Sequence, residues 1–255
     1  MKPLLEIRNL TKFYSKNDKL PAVCDISLVI NKNSSLALIG ESGCGKTTLA
    51  KIIMGLEKPT KGEVVFNGSN IAKMKESQLR PLRRDVQMIF QYSKSVFNPS
   101  YTVGDSIREV LLAHEKLSHE ECQRRLDEIF EVVKLPNSFQ KKYVSQLSGG
   151  QCQRANIARS LILKPKLLIC DEPVASLDYA IRHRVLELLQ EIRQTTDVTY
   201  LLITHDLSNV KDLCQNVAIM YKGNIVELAK VETDLDRVVK HPYSIDLFKS
   251  IPCAN

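Results

Sequence analysis

The 255-residue chain predicts an α/β fold, a parallel sheet covered by helices on both faces. Three observations predict it. Short, nearly continuous apolar runs recur along the sequence, helical patterns separate them, and one glycine-rich turn joins a run to a helix. Apolarity that is continuous over so few residues marks strands buried on both faces. Strands alternating with helices are how parallel sheets are built.

The elements follow in order. Leu4–Ile30, together with Gly62–Asn67, alternates apolar and polar residues and suits a small N-terminal antiparallel β subdomain. Ser35–Ile39 is the first buried strand, followed by a helical pattern over Thr47–Leu56, and Val86–Phe90 is the second. From about Pro99 to Gln146 no strand candidate occurs, and charged helical stretches such as Glu120–Glu128 dominate. With the helical pattern Gln151–Leu163 this is read as a helical subdomain inserted at about 99–160. The strand Leu167–Cys170, the helix Ile181–Gln194 and the strands Tyr200–Thr204 and Val217–Met220 complete the sheet. Residues 1–240 then form one domain and 241–255 a C-terminal tail.

Composition bounds the function. An apolar fraction of 44% and a charged fraction of 25% are those of a globular protein with a sizeable core. No apolar run approaches the roughly 18 residues of a membrane helix, and Met1–Asn9 lacks the apolar stretch of a signal peptide. The chain is therefore expected in the cytosol. The seven cysteines contain no C-x-x-C pair, so no zinc site or disulfide framework is expected. A net charge of +7 suits an anionic membrane surface, a nucleotide or nucleic acid, and does not choose among them.

Chemistry is concentrated in three motifs. Gly40-Glu41-Ser42-Gly43-Cys44-Gly45-Lys46-Thr47, followed by Thr48, lies between a strand and a helix. Its glycines let backbone N–H groups converge on phosphate, Lys46 supplies a cation for the β- and γ-phosphates, and the Thr47 hydroxyl can ligate Mg²⁺. Asp171-Glu172 ends an apolar strand, where Asp171 can hold Mg²⁺ through water and Glu172 can polarise an attacking water. Adjacent carboxylates at a strand end can also be helix caps. Leu147-Ser148-Gly149-Gly150-Gln151 presents a hydroxyl, two small residues and the start of a helix to an anion. Each glycine motif should arise by chance in roughly one chain in a thousand of this length, so finding both in this order is informative.

On these motifs the chain resembles an ATP-binding-cassette (ABC) ATPase from about Leu4 to Pro252, which implies a P-loop NTPase core. The resemblance implies ATP and Mg²⁺ as ligands. It also implies that Ser148, Gly149, Gly150 and Gln151 cap ATP held by a second, homologous or identical ATPase subunit. Gln91 matches the Q-loop glutamine that approaches Mg²⁺ and water, and His205 the switch histidine at the γ-phosphate. Asp178, in Ser176-Leu177-Asp178, matches a loop that crosses the subunit interface. Tyr14 matches the aromatic that stacks on adenine, although Phe13 can do the same. Since both Glu172 and His205 are present, the resemblance implies a hydrolysis-competent site. Cys44 within the loop implies that a thiol adduct would obstruct nucleotide.

Two further stretches resemble the branch of oligopeptide, dipeptide and nickel importers. They are Phe90-Gln91 through Asn98-Pro99 to Thr102-Val103-Gly104, and His241-Pro242-Tyr243-Ser244 with Leu247 and Ile251-Pro252. Tyr92-Ser93 replaces the usual Asp-Pro of that branch, and Cys152 stands where many members carry a polar or basic residue. Cys253 stands alone where some relatives carry a cysteine-rich iron–sulfur tail, so no iron–sulfur cluster is expected. The resemblance implies two membrane permeases as partners, an extracytoplasmic solute-binding protein acting indirectly, and a place on the cytoplasmic face of the membrane. Nickel or a metal chelate is the alternative solute. An exporter ATPase, or an ABC ATPase acting on nucleic acid, is a more distant alternative, and no nucleic-acid partner is expected. The basic stretch Arg80–Arg84 is read as a solvated face, or as one facing permease or lipid.

Overall fold

The structure, a computed structural model, describes residues 2–15, 18–206, 208–231 and 239–249. The chain divides into two compact units, Met1–Arg80 with Asp197–Asn255, and Pro81–Thr196.

In the first unit, β1 (Pro3–Lys12), β2 (Val23–Asn31), β4 (Lys61–Phe66) and β5 (Ser69–Asn70) form an antiparallel sheet in the order β2-β1-β4-β5. Alternation fixes its register. Leu5 lies opposite Ile30 and Phe66, and Ile7 opposite Leu28 and Val64, so one face carries all six apolar side chains into the core. The same unit holds β3 (Ser35–Ile39) paired in parallel with both β8 (Thr199–Thr204) and β9 (Asn216–Tyr221). Every residue of β3 and β8 is buried, which is why these stretches read as unbroken apolar runs.

A strand the sequence reading did not separate, β10 (Asn224–Lys230), pairs antiparallel with β9. Its connection is Lys222-Gly223, both at positive φ, the conformation a two-residue hairpin demands. Lysine at the first turn position hides this signal. Helices α1 (Lys46–Ile53), α7 (Ser208–Leu213) and α8 (Pro242–Lys249) belong to this unit, and α2 (Glu76–Asp85) lies where the units divide in sequence.

In the second unit, β6 (Val86–Ile89) pairs in parallel with β7 (Leu167–Asp171). Around them are α3 (Val103–His114), α4 (His119–Val132), α5 (Gly149–Leu161) and α6 (Tyr179–Thr195). Thr102 and Ser118 accept the backbone N–H groups of Asp105 and Glu121, capping α3 and α4. Ile107 and Leu111 on α3, with Leu126 and Phe130 on α4, are four apart and fully buried, the spacing of one helical face. Arg84, from the basic stretch, pairs with Glu115 at 3.0 Å, so that face is anchored as well as solvated. Among the described residues no helix is long and apolar enough to cross a membrane.

Candidate active site

The glycine loop sits where the sequence predicts, between β3 and α1. Gly45 is the N-cap of α1 at φ 110°, and a Cβ there would stand 2.2 Å from the Ala22 carbonyl oxygen. A Cβ on Gly40 would stand 2.1 Å from the Met220 carbonyl oxygen. Both positions therefore exclude any side chain, and the turn is wound tightly against neighbouring backbone.

Lys46 is 7% exposed. Its Nζ donates to the carbonyls of Gly40 at 2.7 Å and Glu41 at 2.8 Å, and lies 3.7 Å from Cys44 Sγ. All three acceptors are neutral. A buried ammonium with no carboxylate bonded to it among the described residues favours an anionic ligand, because an unpaired buried charge is costly. Cys44 is buried, and that burial raises its thiol pKa above the ordinary value while Lys46 pulls the other way. Glu41, Ser42, Gly43 and Thr47 line the exposed side of the turn. Thr48 shares a 3.0 Å hydrogen bond with the Tyr14 hydroxyl, which also donates to Glu57 at 3.2 Å. The Tyr14 ring is 57% exposed at the loop's helix, with Lys12 Nζ 5.2 Å from its centroid. His205 is exposed directly after β8.

The second unit carries the other candidates. Asp171 is the last residue of β7 and is buried. Glu172 follows at φ 49°, a left-handed conformation that costs a glutamate about 1–2 kcal/mol. Strain of this kind persists only where the surroundings impose it. The helix that follows, α6, has Asp178 as its N-cap, so neither Asp171 nor Glu172 caps it. The Asp178 side chain makes no capping bond of its own. Gln91 is half-buried just past β6.

Ser148 is the N-cap of α5, and its hydroxyl accepts the Gln151 N–H at 3.3 Å, while the Gln151 side chain accepts the Ser148 N–H at 3.0 Å. This capping box fixes the helix start yet leaves the serine hydrogen free to donate. Gly150 is needed for packing, since its Cβ would lie 2.5 Å from Ile181 Cγ2.

The contacts of several positioning groups escaped the sequence reading. Gln153 is 1% exposed and donates to the Pro173 carbonyl at 2.7 Å, one residue past Glu172. Asn156 donates to the Phe90 carbonyl at 3.4 Å, one residue before Gln91. Their only sequence signal is two amides inside an apolar helical pattern. In the tail, Tyr243 Oη accepts the Glu41 N–H at 3.1 Å, and its ring stacks on Tyr221 with centroids 4.1 Å apart. Ile251, Pro252 and Cys253, named in the sequence analysis, lie outside the described residues.

The residues fit a magnesium nucleotide. The loop has no room for side chains where the backbone must curl, its buried Lys46 has only neutral partners among the described residues, and Thr47 offers the hard oxygen that Mg²⁺ takes.

Comparison with known proteins agrees in kind. The family model described as ABC transporter matches residues 23–175. The oligopeptide transport ATP-binding protein OppF of Escherichia coli is 38% identical over 262 residues, covering 98% of this chain and 78% of that protein. The dipeptide transport ATP-binding protein DppD of Bacillus subtilis is 36% identical over 261 residues, covering 99% and 78% respectively. Among solved structures, the dimeric post-hydrolysis state of the ATP-binding cassette MJ0796 bound to ADP and Pi superposes with TM-score 0.80 and 27% identity. It covers 89% of this chain and 99% of that one.

Proposed function

The chain belongs to the ABC transporter family, and on that premise we propose that it is the ATP-hydrolysing subunit of a peptide importer. The nucleotide reading is carried by one observation, the buried Lys46 ammonium bonded, among the described residues, to neutral acceptors only at a strand-to-helix turn. Peptide as the solute is supported by the relatives OppF and DppD and by the His241-Pro242-Tyr243-Ser244 tail.

Residues 40–48 hold the triphosphate. Backbone N–H groups of Gly43 to Thr47, with the N-terminus of α1, face the phosphates, and Lys46 turns from its loop carbonyls to the β- and γ-oxygens. Tyr14 stacks on adenine, its ring held by Thr48 and Glu57. Thr47 and Asp171, with Gln91 near them, would hold Mg²⁺, which when bound would supply neutralisation of charge on the phosphoryl oxygens. Glu172 accepts a proton from the attacking water as the new P–O bond forms and the bond from the γ-phosphorus to the β–γ bridging oxygen breaks, so ADP leaves with that electron pair and phosphate is released, while His205 donates to the γ-phosphate. Ser148, Gly149, Gly150 and Gln151 meet the nucleotide of a second cassette, identical or homologous, and Asp178 lies at that shared boundary. The MJ0796 cassette is described as dimeric.

In this reading the helical subdomain at about 99–160 meets two membrane permeases at the cytoplasmic face, with a solute-binding protein acting from outside. Residues 241–255 form the tail. Hydrolysis resets permeases that nucleotide-driven pairing has switched.

Glu172→Gln tests the chemistry. In the assembled complex it should bind MgATP as the wild type does and lose at least about a hundredfold in turnover, the scale of a general base. Turnover near wild type would reject the assignment. Peptide uptake by cells carrying Lys46→Ala should stop, and uptake that continues rejects the importer role.

A further inference from the structure

We propose that Tyr243 is a positioning residue of the phosphate loop, through which helix α8 sets the nucleotide affinity of the site. The proposal rests on the nucleotide reading of that loop and adds to it a control from the tail.

The peptide unit joining Gly40 to Glu41 carries the argument. A trans peptide points its carbonyl and its N–H in opposite directions. Here the Gly40 carbonyl accepts Lys46 Nζ at 2.7 Å, while the Glu41 N–H donates to Tyr243 Oη at 3.1 Å. One rigid plane thus has the nucleotide-binding lysine on one side and the tail tyrosine on the other. Rotation of that plane moves the Lys46 acceptor, so whatever holds Tyr243 also biases the lysine.

Tyr243 is itself held from three directions. Its ring stacks on Tyr221 at 4.1 Å, with an interplanar angle of 27°. Tyr221 follows Met220, the residue whose carbonyl leaves Gly40 no room for a side chain. The Tyr243 N–H donates to His241 Nδ1 at 3.2 Å. Glu227, on β10, accepts the N–H groups of Lys240 at 2.6 Å and His241 at 3.2 Å, clamping the chain just before α8. Burial raises the Tyr243 phenol above its ordinary pKa, so it stays neutral and keeps its hydrogen at physiological pH. The link therefore does not titrate with the cytosol.

Because the Glu41 N–H lies at the entrance of the loop, the tyrosine acts on the binding conformation and not on the transferring phosphoryl group. It should change affinity and leave the chemical step alone.

The experiment titrates MgADP into purified full-length wild type, Tyr243→Phe, Glu227→Ala, the double variant and Lys46→Ala, with thermal unfolding measured on each. Tyr243→Phe keeps the stacked ring and loses one hydrogen bond. Its Kd should rise about threefold to tenfold, with Tm within about 2 °C of wild type. In the assembled complex, KM for ATP should rise by the same factor and kcat stay within about twofold. Glu227→Ala should weaken binding in the same direction, and the double variant should be no weaker than the worse single, because both act through one contact. An unchanged Kd in Tyr243→Phe overturns the proposal. So does a lowered Tm without a change in Kd, which is the mark of a purely structural tail. A wild type that binds MgADP no better than Lys46→Ala rejects the nucleotide site itself, a different failure.

Discussion

Cys44 stands between two glycines of the phosphate loop, 7% exposed and 3.7 Å from the Lys46 ammonium. Those two surroundings oppose each other. Burial disfavours the thiolate, Lys46 favours it, and burial wins, so the pKa lies above the ordinary cysteine value of 9.0. Only the thiolate attacks an alkylating reagent. At pH 7 the reactive fraction is therefore smaller than for an unburied thiol, and raising the pH increases it until the raised pKa is passed. The rate of Cys44 modification by iodoacetamide should climb about tenfold per pH unit from pH 7 and show no plateau by pH 9. Peptide mapping of quenched samples measures this, and a plateau below pH 8 would mean that Lys46 dominates. Saturating MgATP should slow the labelling, since the phosphates and this sulfur compete for one cradle. Cys44→Ala should abolish inactivation by the reagent. If that variant is inactivated just as strongly at equal labelling of the other cysteines, the loop thiol is not the site of action.

Among elements, α5 carries most of the second unit's precision. Ser148 and Gln151 lock its first turn, Gln153 reaches the residue after Glu172, and Asn156 and Ser160 bond the Phe90 and Met88 carbonyls of the β6 segment at 3.4 and 3.1 Å. One helix thus references both Gln91 and Glu172. Gln153→Leu keeps the volume but leaves the buried Pro173 carbonyl without its donor. It should cost about 1–3 kcal/mol. It should also lower kcat with little change in KM for ATP, because it frees the strained Glu172 backbone and leaves the phosphate loop alone. Denaturant unfolding and steady-state turnover check the two parts, and a stability loss with unchanged kcat confines Gln153 to packing.

How much of this was legible in the sequence follows from where each element finds its stability. Ser35–Ile39 and Thr199–Thr204 are buried along their whole length, so their apolarity is local and was readable. α5 begins two residues before the expected Gln151, because Gly149-Gly150 reads as loop until the Ser148 cap is seen. β10 is half-exposed and held by its partner β9, and α8 is held by Glu227 and Tyr221, contacts remote in sequence. The motif residues were legible because their chemistry is spelled in adjacent positions. Gln153, Asn156 and the loop contact of Tyr243, a residue the tail motif names, were not, since each works through a backbone group far along the chain. The two departures from the importer pattern, Ser93 after Gln91 and Cys152 on α5, are both buried, and burial raises the Cys152 thiol above its ordinary pKa.

For the whole molecule, the decisive question is whether one chain completes a site alone. The loop with Lys46 belongs to one unit and the Ser148 helix start to the other, and the proposed function gives each to a different nucleotide. Mixing two crippled copies separates the possibilities. A Lys46→Ala copy keeps its Ser148 tip and loses its phosphate grip, whereas a Ser148→Arg copy keeps the grip and blocks the tip. Loss of the cap costs Ser148→Arg about 1 kcal/mol of stability, too little to unfold a chain of this size. Each copy alone should be silent in MgATP hydrolysis. Random pairing makes about half of the pairs mixed, and each mixed pair rebuilds one of its two sites. The equimolar mixture should therefore recover about a quarter of wild-type turnover. Sedimentation with MgATP verifies that pairs have formed, the Glu172→Gln chain serving as the stable reference. Paired material as silent as its parents would mean that both halves must lie on the same chain, and reciprocal sharing would be rejected.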